Sequence, residues 1–89
     1  MNTYTLVLKR VTAQCKMPII SFDVCAPSNE LALSDAKKCV IIFLKEEGYK
    51  LVNAGVPMGN DLEMNLTFTK DDEEYDYILN IIHIKEDNI

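Results

Sequence analysis

Residues 3–11 (TYTLVLKRV) set Tyr4, Leu6 and Leu8 at alternate positions, and residues 18–26 (PIISFDVCA) repeat the pattern with Ile20, Phe22, Val24 and Ala26. Alternation with a period of two puts one face of an extended segment against a core and the other in water, so each predicts a half-buried strand. The intervening TAQCKM is too short for a crossover, which makes the pair an antiparallel hairpin. Pro18 suits a strand start or a sheet edge.

The period then changes. Ser28 can cap a helix, Asn29 and Glu30 favour its first turn, and Gly48 can end it. Across NELALSDAKKCVIIFLKEE (29–47), Ala32, Leu33, Ala36, Cys39, Val40, Phe43 and Leu44 fall on one broad helical face, expected to lie on the sheet. Phe43, with Ala36 and Val40, is expected to be buried against Leu6, Leu8, Phe22 and Val24. Leu31 and Ile42 fall to one side, and Ile41 beside Ser34, Lys37 and Lys45 on the polar side. The helix is therefore more apolar than a one-sided contact needs.

After Gly48, YKLVNAG reads as a short third strand, and VPMGND carries the turn signals Pro57 and Gly59. Residues 62–69 (LEMNLTFT) alternate cleanly, with Leu62, Met64, Leu66 and Phe68 on one side. KDDEE turns the chain into a last strand, YDYILNIIHI (75–84). Period-two counting puts Tyr75, Tyr77, Leu79 and Ile81 on one face and Ile78, Ile82 and Ile84 on the other. A strand apolar on both faces is central and covered twice, or faces a partner. The order predicts a single α+β domain over residues 1–89: an antiparallel sheet with one long helix on one face, ββαβββ.

A chain of 89 residues with 48% hydrophobic and 26% charged positions has a globular composition and a thin core. Its longest apolar run, Cys39 to Leu44, is far short of a membrane span. MNTYTLVLKR has no basic stretch ahead of its apolar residues, so no signal peptide is expected. Cys15, Cys25 and Cys39 are an odd set without C-x-x-C spacing, read as free thiols in a reducing cytoplasm, two of them half-buried. Cys39 is assigned to the helix's apolar face, and Cys25 lies just before the helix N-terminus.

No motif for catalysis, metal or cofactor binding is present. His83 is the only histidine and has no partner nearby in sequence, so a structural strand histidine is the reading. The acids at 71–74 lack the spaced ligands and central glycine of a calcium loop. No glycine-rich loop opens a helix for phosphate, and the lysines are scattered in an acidic chain, which argues against direct nucleic-acid binding.

Charge is lopsided. Residues 1–60 carry seven basic and five acidic side chains, residues 61–89 two and nine, so the whole net charge of −5 comes from the last third. Acidic turns keep small β proteins soluble and discourage edge pairing. They also steer a protein onto a basic surface. On that second reading the candidate interface is Asp61, Glu63, Asp71, Asp72, Glu73, Glu74, Tyr75, Asp76 and Tyr77, with tyrosines as anchors. The helix around Leu31, Ile41 and Ile42 is the alternative.

The block TYTLVLKRV…ISFDVCAPSNELALSDAKKCVIIFLKEEGYKLV, followed by an acidic hairpin, resembles small phage-encoded proteins of the anti-CRISPR kind. The likeness is one of architecture and charge over the whole chain and assigns no residue a role. It implies a non-enzymatic inhibitor acting in a host cytoplasm by binding a larger, basic defence protein or nucleoprotein complex. The other expectations are a homodimeric structural or adaptor module, which would satisfy the excess apolar surface, and a small ligand-binding domain.

Overall fold

A computed structural model describes residues 1–86. Strands β1 (Asn2–Val11) and β2 (Lys16–Ala26) precede helix α1 (Asn29–Glu46), which is followed by β3 (Lys50–Ala54), β4 (Glu63–Lys70) and β5 (Glu73–Glu86). All pairings are antiparallel and the sheet order is β2-β1-β5-β4-β3. The ββαβββ order and α+β class read from the sequence are those of the structure. The last strand is the centre of the sheet, held between the first strand and its own hairpin partner.

Local chemistry accounts for the boundaries. In the first hairpin Thr12 Oγ1 accepts from the Cys15 amide at 3.2 Å, and the Thr12 amide donates to the Cys15 carbonyl at 2.9 Å. Ser28, extended at φ −149° and ψ 162°, caps α1 by accepting from the Leu31 amide at 3.3 Å. At the other end Gly48 takes φ +93°, and the amides of Gly48 and Tyr49 bond back to the carbonyls of Lys45 and Leu44. This paired closure satisfies the helix's last carbonyls, and glycine is the residue that enters the left-handed region without strain.

The core lies between α1 and one face of the sheet. Tyr4, Leu6 and Leu8 of β1, Met64, Leu66 and Phe68 of β4, and Tyr77, Leu79 and Ile81 of β5 are buried there beneath Ala32, Leu33, Ala36, Val40 and Leu44. The alanines let the helix approach closely, which concentrates burial on an arc around Ala36 and Val40. At 3.6 residues per turn Cys39 points roughly 90° from the middle of that arc. Cys39 is therefore exposed, a correction to its placement on the apolar face, and Cys15 and Cys25 are exposed as well rather than half-buried. Phe43 is half-buried at the rim on the same side of the arc as Cys39, while Ile41, read as polar-side, lies on the opposite side and packs against the core beside Tyr49 and Leu51.

Three β-bulges modify the alternation. The register skips Ile19 opposite β1, Val52 opposite β4 and Ile82 opposite β1. All three skipped residues are exposed, Ile82 at 59%. The bulge at Ile82 also corrects the face assignment of β5: Ile84 pairs with buried Tyr4 and returns to the helix side, and His83 pairs with Thr5 on the other. The uncovered face carries mostly Thr, Asn, Ser and charged side chains, with Val7 buried among them.

Candidate functional site

The acidic segment is built on the tight turn between β4 and β5. Lys70 and Glu73 are the last pair, and Asp71 and Asp72 alone make the loop, at φ +52° and +66°. Positive φ at both positions is the mirror-image turn whose twist matches a hairpin. Aspartate enters this region more readily than most residues but less readily than the Asn-Gly that such turns favour. The result is a rigid tip on which Asp71, Asp72, Glu73 and Glu74 are all exposed.

From the tip inward, strand alternation separates the remaining candidates. Asp76 points to the uncovered face and accepts from Thr67 Oγ1 at 3.0 Å. Tyr75 and Tyr77 point to the helix side. The Tyr77 ring is only 3% exposed and stands edge-on to Phe68 and Tyr49, with centroids 5.5 and 6.2 Å away. Burial, then the neighbouring Tyr49 phenol, pushes the Tyr77 phenol up to about 12. Tyr77 therefore belongs to the core and cannot be the surface anchor read from the sequence, because strand alternation buries it together with Leu79 and Ile81.

Tyr75 is half-buried. Its hydroxyl donates to Glu73 Oε2 at 2.9 Å, its ring stands edge-on to Tyr49 at 5.4 Å, and the Arg10 guanidinium lies 4.3 Å above it. The bond to Glu73, more than burial, raises its pKa. Both tyrosines thus secure the base of the tip.

Asp61 and Glu63 lie at the opposite end of β4, roughly 25 Å from the tip by strand rise. Asp61 ends a left-handed run, Gly59–Asn60–Asp61, beside the start of α1, where Asn29 Nδ2 donates to the Asn60 carbonyl at 3.4 Å. Glu63, on the uncovered face, accepts from Asn80 at 3.4 Å. The structure thus brings together Asp71, Asp72, Glu73 and Glu74, adds Asp76 close by, and leaves Asp61 and Glu63 apart.

His83 sits in a row across the uncovered face, Asp23–Thr5–His83, on three neighbouring strands. Thr5 Oγ1 donates to Asp23 Oδ1 at 2.8 Å. The hydroxyl proton is committed to the carboxylate, so the row does not pair a nucleophile with a histidine base. Among the described residues no group of three or more His, Cys, Asp or Glu is placed to hold a metal, and no helix is long and apolar enough to cross a membrane.

The fold also collects cations that look scattered in the sequence. Lys37, Ile41 and Lys45 recur every fourth residue and form one row along α1, with Lys38 beside it. The row runs along the β3 side of the helix, because Ile41 and Lys45 share a groove with Gly48, Tyr49, Lys50 and Leu51. Lys70 reaches the same place, its ammonium 4.9 Å above the Tyr49 ring. The helix lysines carried this signal in their spacing, but Lys50 and Lys70 join them only through β3–β4 pairing. No protein-family model, curated protein or solved structure matches the chain.

Proposed function

We propose that this chain is a non-enzymatic binding protein whose acidic β4–β5 tip engages a basic surface on a larger protein or nucleoprotein complex. The observation that carries the reading is the tip itself: four exposed carboxylates on a two-residue turn, braced from beneath by Tyr75, Tyr77 and Phe68. Such a rigid cluster enters a complex at little conformational cost, and its field accelerates encounter with a positive surface. Together with the resemblance in architecture and charge, this favours an inhibitor of the anti-CRISPR kind, acting on a host defence complex.

The test is functional. The protein is expressed in cells whose CRISPR-type interference blocks a targeted phage, and plaque formation is scored beside a variant with Asp71→Asn, Asp72→Asn, Glu73→Gln and Glu74→Gln. Restored plaquing by the parent and its loss in the equally abundant, folded variant supports the proposal. Equal activity of the two removes the tip from the mechanism, and failure of the parent across defence types rejects the inhibitor reading.

One observation favours self-association as a second reading. Met17 and Ile19 on edge strand β2 and Leu31 and Ile42 on α1 leave apolar side chains exposed. A concentration series in analytical ultracentrifugation decides it: a single monomeric species at every concentration excludes a homodimer.

A further inference from the structure

We propose that the groove between α1 and edge strand β3 is a docking site for an extended acidic peptide of a partner protein. Its volume is about 510 Å³, and Ile41, Tyr49 and Leu51 form an apolar floor, with Lys45 beside it on α1 and Lys50 on the β3 edge, where pairing with Thr69 turns its side chain toward the uncovered face. Among the described residues the lining holds no carboxylate, and Lys70 adds its charge from the face of Tyr49. Lys37 and Lys38 extend the positive strip along the helix. Two of the nine basic residues of an acidic chain thus line the groove, with Lys70 beside it and Lys37 and Lys38 farther along α1.

Two features identify the occupant as an extended peptide. First, among the described residues β3 pairs only with β4, so its outer edge offers amides and carbonyls to an added strand. A peptide laid along it would form main-chain bonds while alternate side chains reached the apolar floor, the usual division between affinity and specificity in strand addition. Second, the lysines choose the partner. Lys50 on the edge opposes pairing with another copy of the same strand, because like charges would face each other. The same charge attracts glutamate or aspartate side chains, so one residue disfavours self-pairing of the β3 edge and admits an acidic strand. Tyr49 is prepared for this use: its ring is fixed between Tyr75 and Tyr77, and no reordering is needed on binding.

The probe is a short fluorescein-labelled peptide alternating glutamate and valine, followed by anisotropy with the full-length protein. The controls are a lysine–valine peptide and a labelled thymidine oligonucleotide. The glutamate peptide binds and shifts the amide resonances of Lys50–Ala54, and the lysine peptide does not bind. Lys45→Glu with Lys50→Glu, at two exposed positions, weakens binding by about tenfold or more, since each attraction becomes a repulsion. Should that variant unfold, the Gln pair serves, with a smaller loss. Neutralising Asp71–Glu74 leaves peptide binding in place, which separates this site from the acidic tip. Undiminished binding by the charge-reversed variant, absence of shifts along β3, or binding of the oligonucleotide but not the peptide overturns the proposal.

Discussion

Phe68→Ala and Phe43→Ala, made side by side, test how the helix sits on the sheet. Phe68 is 0% exposed, at the middle of β4, edge-on to Tyr77 at 5.5 Å and opposite Tyr75 and Leu51. Its truncation opens a cavity that close-packed neighbours on β3, β5 and α1 cannot fill, at a cost of ~3–5 kcal/mol. Lost aromatic pairing adds ~0.5–1.5 kcal/mol. Phe43 sits at the rim, half-buried over the β2 side, so water replaces its ring without an enclosed void; about half of a full side-chain transfer, ~1–1.5 kcal/mol, is lost. Against a total of roughly 5–12 kcal/mol for a chain this size, Phe43→Ala is tolerated and Phe68→Ala approaches unfolding. Urea melts followed by circular dichroism, with m unchanged, give both values. Equal costs, or a larger one at Phe43, would mean that α1 is rotated toward β2 relative to the arc around Ala36 and Val40.

Tyr77 makes stability fall in alkali: its folded pKa of about 12 lies above the unfolded value near 10, so its contribution is complete below pH ~10 and is lost as pH rises toward 12. Tyr77→Phe should flatten that decline, and phenolate absorbance of the parent should show a late-titrating tyrosine; a parent and variant with superimposable alkaline melts would refute the burial of this hydroxyl. Cys15, Cys25 and Cys39 should all react with a thiol reagent in the native protein, without unfolding, and a thiol that waits for denaturant would contradict the exposed setting of Cys39. Asp71→Asn with Asp72→Gly should raise stability by ~1 kcal/mol, because the pair suits φ +52° and +66° better and removes two adjacent charges. A fall in the melting temperature would show that the tip is not this turn.

What was legible in the sequence was whatever depends on local periodicity. The alternation around Leu6, Phe22 and Leu66, the cap at Ser28 and the glycine at 48 fix element order, and order with short connections fixes an antiparallel sheet. What escaped depends on one-residue shifts. Ile82 is skipped in the ladder, so period-two counting assigns Ile84 to the wrong side. The same device explains part of the surplus apolar surface: Ile19, Val52 and Ile82 are exposed because each is the extra residue of a bulge, which leaves its side chain outside the regular pattern. Helix rotation is set by the two alanines and not by hydrophobicity alone, hence Cys39 outside; Ile41 is partly inside because Tyr49 and Leu51 flank that side of α1. In the candidate site, the contiguity of Asp71–Glu74 was readable because the residues are consecutive. The distance to Asp61 was not, because it follows from the length of β4.

Net charge illustrates the same dependence on fold. A value of −5 describes what a partner feels from far away, and that field draws positive surfaces toward the molecule. Within a Debye length of about 8 Å at physiological salt, only the nearest groups matter. There the surface divides: carboxylates on the tip and around Asp76, and lysines along the α1–β3 groove. The boundary is sharp, since Lys70 and Asp71 are consecutive and β4 ends between them. On the two proposals made above, partner elements of opposite sign would be held side by side at one end of the sheet, a basic one met first through the long-range field and an acidic one seated at contact. A partner presenting both signs would be fixed in orientation as well as in place.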